Sequence, residues 1–329
     1  MGQIASLLLA LAGGLAIAVQ ARVTGALKVE TGDSALAAAV TFGSGLVLMV
    51  GVCLATGRNR AAVVRMVTGA RHGGFPPVFM FTGLLGAYAV FGQGATVDLI
   101  GVALFSLIFI GGQMVASAVL DSRGWVPSGR TGLGPARIIG ILMAFGGVVL
   151  ALSLKFSGSG LQSPVDLLLP VLIVFTGGLL QPAQMAMNGV VAAHVGRTEP
   201  IVLFNYLTGT LVLVLVSWPA IAAGGLARLP LAPEAWWHYT GGLLGSVVVM
   251  GGALLTRTIG SLLYTLGLVA GQVGGALLVD TLWPLPGTLV GWQTVMGGVM
   301  TVMALAVASG RARRGPSAPP PPSSAGAGA

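Results

Sequence analysis

Charged residues are scarce in this chain of 329 residues, since only 7% are Asp, Glu, Lys or Arg while 55% are hydrophobic. A soluble domain carries about 25% charged residues, so this chain has too little ionisable surface to cover a water-soluble globule of its size. The apolar runs are continuous rather than alternating, which disfavours a membrane β-barrel. The composition therefore predicts an all-α membrane protein with the lipid bilayer as its solvent.

Cysteine and catalytic groups are almost as scarce. The single cysteine, Cys53, excludes an internal disulfide. The three histidines lack metal-ligand spacing, so we predict no metal site and no cofactor. No nucleotide-binding loop and no Ser/His/Asp constellation is present, which argues against an enzyme and against ATP-driven transport by this chain. The net charge of +8 does not indicate nucleic acid, because the basic residues lie between apolar runs without interleaved aromatic residues.

Ten apolar runs approach or exceed the 20 or so residues that a helix needs to cross a bilayer. The separations between the third and fourth runs and between the eighth and ninth are short, and we predict turns there at Asp98 and Arg257. The runs are 3–24, 34–56, 75–95, 98–120, 137–155, 165–190, 199–223, 236–256, 258–280 and 289–309.

Arginine and lysine are concentrated in the loops on one face, which we call face A because the chain begins there; the opposite face is face B. Cytoplasmic loops of membrane proteins are rich in these residues. We therefore predict a bacterial inner-membrane protein with face A and both termini in the cytoplasm. Face A carries Arg58, Arg60, Arg65, Arg71, Arg123, Arg130, Arg137, Arg197, Arg257, Arg311, Arg313 and Arg314, whereas face B carries Arg22, Lys28, Lys155 and Arg228.

The two halves of the sequence match each other. A shift of 164 residues places Gly13-Gly14-Leu15 on Gly177-Gly178-Leu179, and a shift of 159 places Gly112-Gln113 on Gly271-Gln272. Five matched spans in one order indicate a duplication. Because five is odd, the second copy must enter the membrane from the opposite face, as in many secondary transporters. We predict a first unit at 1–157, a second unit at 158–309, and a disordered basic and Pro-rich tail at 310–329.

These motifs resemble the YdcZ-like branch of the drug/metabolite transporter superfamily. The resemblance lies in GGLAIAVQARVTGAL and GGLLQPAQMAMNGVV in the first span of each unit, and in GGQMVASAVLD and AGQVGGALLVD in the fourth. It covers residues 3–309 and implies a fused pair of five-helix units forming an inner-membrane carrier with inverted repeats. It implies no particular cargo.

Amide and hydroxyl side chains recur inside the predicted spans. An amide in hydrocarbon must find a partner in protein, water or solute. Two interpretations remain open, since these groups either join helices by hydrogen bonds or line a path for a solute. The candidate solute-binding residues are Gln20, Gln113, Gln184, Asn188, Gln272, Tyr264 and Asn205.

Two carboxylates and one proline are candidates for gating or structural roles. Asp121 and Asp280 end the fourth and ninth spans, where a negative charge opposes the helix dipole. Arginines near Asp121 in sequence are its expected partners, and Arg22, Lys28 and Arg228 are those expected for Asp280. Pro182 should kink or locally open the sixth span and free a carbonyl.

The sequence thus predicts a secondary transporter, an exporter of a small organic metabolite or drug-like solute that works by alternating access. A membrane scaffold or assembly subunit without flux is the alternative, and a homodimer is left open. The amide- and aromatic-containing interior suits an uncharged, zwitterionic or cationic solute better than an anion.

Overall fold

A computed structural model describes residues 2–123, 134–158 and 165–310. Over these residues the secondary structure is entirely helical, with short 3₁₀ segments at Pro77–Phe81, Gly225–Arg228 and Pro233–Tyr239. The helices are α1 Gln3–Thr31, α2 Ser34–Ala55, α3 Gly57–Arg71, α4 Gly83–Arg123, α5 Pro135–Gly158, α6 Val165–Val195, α7 Glu199–Val216, α8 Trp218–Ala222, α9 Gly241–Leu282 and α10 Trp292–Gly310.

Nine helical stretches of the described residues are long and apolar enough to cross a membrane, where ten were predicted. The difference lies in Pro77–Arg123, a stretch of 47 residues that holds both the third and the fourth predicted spans. As a straight helix, the 41 residues of α4 would measure about 60 Å, about twice the hydrocarbon core. The helix is instead broken at Gly101, which has φ 83° and ψ 164°.

The two arms of α4, residues 83–100 and 102–123, fold back on each other. A Cβ on Gly177 of α6 would lie 3.6 Å from the Cα of Ala89 and 3.4 Å from the Phe109 ring. Ala89 and Phe109 belong to different arms and would stand about 30 Å apart along a straight helix. The break at Gly101 therefore reverses the chain.

The same reversal occurs in α9, at Gly260, with φ 79° and ψ 157°. A Cβ on Gly252 of the first arm would lie 2.5 Å from the hydroxyl of Tyr264 in the second arm, although twelve residues span about 18 Å of straight helix. The expected turns at Asp98 and Arg257 were therefore placed three residues too early. The backbone conformation explains this, because it lies in a region that only glycine adopts freely.

Close packing of glycines joins each unit to the other in a reciprocal way. Gly14 of α1 leaves no room for a Cβ against the backbone of Gly271 in the second arm of α9. At the equivalent Gly178 of α6, a Cβ would likewise lie 2.2 Å from the Phe109 carbonyl and 3.1 Å from the Cα of Gly112, in the second arm of α4. Small residues let helix backbones approach in this way in membranes.

The order of contacts gives the relative direction of the helices. Leu7 packs at Gly267 and Leu15 at Gly275, so α1 and the second arm of α9 run parallel. Along α5 and α10 the order is reversed, so those helices are antiparallel; Gly147 meets Gly297 and Gly140 meets Ala304. Both directions are those expected if the chain reverses at each glycine break.

Local signals explain where the first helices begin and end. Gly32 ends α1 in the left-handed conformation. The carboxylate of Asp33 accepts the Leu36 N–H at 2.7 Å and so caps α2. Thr56 caps α3 through the N–H of Asn59. Helix α3 was not predicted, because this basic helix is too polar to count as a span; it packs on the bundle through Ala62 and Met66.

Candidate functional site

On face B, the carboxylate of Asp280 caps the second arm of α4. One oxygen accepts the Val102 N–H at 2.9 Å and the other accepts the Ala103 N–H at 2.7 Å. Asp280 is 4% exposed. The first N–H groups of a helix have no partner inside it and carry partial positive charge, so this carboxylate satisfies the arm that begins just after Gly101.

A lysine completes the other side of the same break. Lys155, in the last turns of α5, donates to the carbonyl of Leu99 at 2.9 Å and to the carbonyl of Gly287. The Leu99 carbonyl belongs to the end of the first arm, where the helix dipole favours a cation. The break at Gly101 thus has a cation at its carbonyl end and a carboxylate at its N–H end.

Two further basic residues of α1 complete this group on face B. Lys28 forms an ion pair with Asp98. Arg22 donates to the Trp283 carbonyl at 2.7 Å, and its guanidinium lies 4.3 Å from the centroid of the Trp283 ring. We call Arg22, Lys28, Asp98, Lys155 and Asp280 the face-B cluster. It joins α1, α4, α5 and α9, and so links the two units.

The equivalent place on face A has a different arrangement. Among the residues that the structure describes, no heavy atom beyond the helix itself lies within 4 Å of the position that a Cβ on Gly260 would take. Asp121, the equivalent of Asp280, forms an ion pair with Arg137 at 2.5 Å instead. Gly260 is exposed whereas Gly101 is buried. The other unit therefore covers the break on face B, whereas no described residue covers the break on face A.

Deeper in the bundle, two glutamines face the opposite unit through equivalent glycines. The Oε1 of Gln20 lies 2.8 Å from the position of a Cβ on Gly245, and the Nε2 of Gln184 lies 2.8 Å from that on Gly86. The hydroxyl of Tyr206 lies near the same point of Gly245, at 2.9 Å. These amides therefore meet the first arms of α9 and α4 at positions related by the repeat.

Asn188 and Asn205 lie together towards face A. The Thr82 hydroxyl lies 2.7 Å from the Asn188 Oδ1 and 2.8 Å from the Asn205 Oδ1. At the equivalent place in the other unit, the hydroxyls of Thr24 and Thr41 lie 3.1 Å apart. The two asparagines thus join α6 and α7 to the start of α4, which favours the helix-joining interpretation for this pair.

The remaining candidates are separated from these groups. Gln113 is partly buried and Gln272 is 4% exposed. Tyr264 packs against Gly252. The helix α6 continues through Pro182 without a break.

Two features of the site were not foreseen. Asp280 was expected to contact a cation, but its direct partners are backbone N–H groups, with Arg22 and Lys155 near enough to interact electrostatically. The Ala103 N–H that Asp280 accepts lies 177 residues away in the chain, so no local sequence pattern could predict this contact. Lys155 was counted only as a loop charge, although its position at the end of an apolar run could have indicated a role in the site.

Across the part of the chain that the structure describes, no three His, Cys, Asp or Glu residues group as metal ligands.

Long apolar helices broken and reversed at equivalent glycines define a multi-pass helical membrane protein. The chain belongs to the family described as "Putative inner membrane exporter, YdcZ", whose profile matches residues 5–150 and again residues 169–307. It is therefore a multi-pass protein of the inner membrane with a transporter role, and the two matches fall one in each half. No curated protein matches the chain.

Proposed function

We propose that this protein exports a small organic solute by alternating access between two inverted units, with face A in the cytoplasm. One observation carries the proposal: two equivalent breaks in the chain have different surroundings. Gly101 is covered by the Asp280 carboxylate, 2.8 Å from the position of its Cβ. Gly260 is exposed, and no residue that the structure describes lies within 4 Å of its Cβ position. A carrier closed on face B and open towards face A would look like this.

Reciprocal contacts explain how the opposite state could form at similar free energy. Each unit offers the other the same surfaces, as the pairs Gly14 with Gly271 and Gly178 with Gly112 illustrate. An exchange of roles between the units would then open face B and close face A, as inverted-repeat carriers do around a central site.

The glutamines between the units are the proposed solute contacts. Gln184 is buried against Gly86, and Gln20 faces Gly245 beside Tyr206. Amides offer both donors and acceptors but no charge, so they suit an uncharged or zwitterionic solute. A cation would be held only through the ring and amide dipoles, since the carboxylates lie towards the two faces.

Flux through reconstituted protein tests this proposal. Proteoliposomes loaded with a defined mixture of amino acids, neutral sugars and polyamines would be followed by mass spectrometry of the released solutes. We expect release of one of these classes by the wild type and loss of that release in the Gln20→Leu/Gln184→Leu double variant.

The matched control is Gln3→Leu, an exposed glutamine in the first turn of α1, which should leave release unchanged. If no solute class is released faster from the proteoliposomes than from protein-free vesicles, the interpretation as a membrane scaffold without flux replaces that as a carrier. If the double variant releases solute at the wild-type rate, the two amides are not solute contacts.

A further inference from the structure

Asp121 and Asp280 occupy equivalent positions but have different partners. Asp280 binds the N–H groups that follow Gly101, whereas Asp121 binds the Arg137 guanidinium. We propose that Asp121 is a positioning residue that changes partner. It binds Arg137 while face A is open and caps the N–H groups of Ser261 and Leu262 when face A closes. This inference rests on the alternating access proposed above.

The N–H groups that follow Gly260 require an acceptor once water leaves. A helix begins with N–H groups that have no partner within it, and burying them unpaired is unfavourable. While Gly260 is exposed, water can serve. Closure of face A would remove that water, as closure of face B has done around Gly101.

The chain offers few alternatives to Asp121 for this cap. Among the described side chains of face A, the only other carboxylate is that of Glu199, which pairs with Arg197 at 2.6 Å. Asp121 comes from the end of the second arm of α4, just as Asp280 comes from the end of the second arm of α9. The repeat therefore predicts that Asp121 caps the break at Gly260 in the opposite unit.

The ion pair between Asp121 and Arg137 is weak enough to break when face A closes. The side chains of Arg137 and Asp121 are 21% and 23% exposed, and ion pairs with access to water are weak. Asp280, in contrast, is almost completely buried and accepts two backbone N–H groups. Arg137 therefore acts as a competitor that holds Asp121 while face A is open.

Hydrogen exchange of the two breaks, measured by mass spectrometry on full-length protein in lipid nanodiscs, tests the change of partner. Asp121→Asn should raise exchange at residues 261–262 about fivefold, the factor that a typical helix cap represents, and lower it at residues 102–103. Arg137→Gln should do the reverse, because it frees Asp121 for the cap. Asp280→Asn should resemble Arg137→Gln at both breaks.

A fixed ion pair gives a different result. If Asp121 and Arg137 only stabilise each other, Asp121→Asn and Arg137→Gln will shift exchange in the same direction, which overturns the inference. Arg137→Lys keeps the charge and should stay near the wild type, which verifies that the site tolerates substitution. The control Asp166→Asn, an exposed carboxylate at the start of α6 on face B, should change neither break.

Exchange is read without solute, so the two proposals fail separately. Opposite shifts in a protein that moves no solute would remove the transport proposal and keep the change of partner. Flux accompanied by shifts of the same sign would keep transport and remove the change of partner.

Discussion

Gly101 and Gly260 share a local sequence and a backbone conformation but not an environment. Both follow an isoleucine, and both reverse the chain with φ near 80°. Gly101 nevertheless lies buried against Asp280, whereas Gly260 is exposed. The break is thus encoded locally by glycine, while its cover depends on how the two units are arranged. Under the proposed alternating access, such a difference between equivalent places is what one of the two conformations should show.

The largest effect should come from filling the glycine contacts between units. Alanine at Gly112 would overlap the Phe175 carbonyl, and alanine at Gly271 would overlap the Leu11 carbonyl. We expect each variant to lose about 1–3 kcal/mol in the free energy of unfolding, the usual cost of overpacking, as measured by unfolding in detergent.

Neighbouring glycines provide matched controls for these variants. Outside their own helix, no atom of the described residues lies within 4 Å of a Cβ position on Gly111 or Gly274, so alanine there should be neutral or should stabilise the helix slightly. If Gly111→Ala destabilises the protein as much as Gly112→Ala, the close contacts between units are not the cause.

Alanine at the two breaks should separate the covered glycine from the uncovered one. Both substitutions place a Cβ in a backbone region that costs about 1–3 kcal/mol for any residue other than glycine. Gly101→Ala also displaces the Asp280 carboxylate, so it should cost about 1 kcal/mol more than Gly260→Ala. Equal losses of thermal stability would contradict the asymmetry between the breaks.

Neutralising the two equivalent carboxylates should show the same asymmetry on a smaller scale. Asp280→Asn leaves buried N–H groups poorly satisfied and should cost about 1–3 kcal/mol. Asp121→Asn loses a partly exposed ion pair and should cost less than about 1 kcal/mol. Equal effects in denaturation curves would mean that Asp280 contributes no more to stability than its equivalent.

The smallest expected effect concerns the aromatic pair between α2 and α7. Tyr206 packs edge-on against its equivalent Phe42, with ring centroids 5.2 Å apart, and its hydroxyl donates to the Gly242 carbonyl at 2.9 Å. Tyr206→Phe should cost about 0.5–1.5 kcal/mol, the value of one hydrogen bond. Phe42→Leu, which removes the ring contact, is the comparison, and a neutral Tyr206→Phe would show that the bond is replaced by water.

Much of the fold follows from hydropathy and from the repeat. The apolar runs predicted the membrane helices, because a span must be apolar along its whole length whatever its neighbours are. The turn positions were less accurate, since Asp98 was taken as a loop residue although the helix continues to Gly101. Asp98 can remain within the helix because Lys28 pairs with it. This partner is distant in sequence, so the pairing could not be predicted from the local pattern.

The site was only partly predictable for the same reason. The repeat identified Gln20 and Gln184 as equivalent polar positions, and the structure places each against the opposite unit. The cap of Asp280 and the role of Lys155 depend on tertiary contacts between α4, α5 and α9, which no periodicity encodes. Whether the glutamines contact a solute remains a prediction.

The central claim is that the two units lie antiparallel in the membrane. Thr68 and Ala232 lie in the connections between the second and third predicted spans of the first and second units, and both are exposed. Single cysteines would replace each of them in a Cys53→Ala background and would be labelled in intact cells with a thiol reagent that does not cross the membrane. The antiparallel arrangement predicts that Ala232→Cys is labelled from outside and that Thr68→Cys is labelled only after the cells are opened; labelling of both from the same face would contradict it.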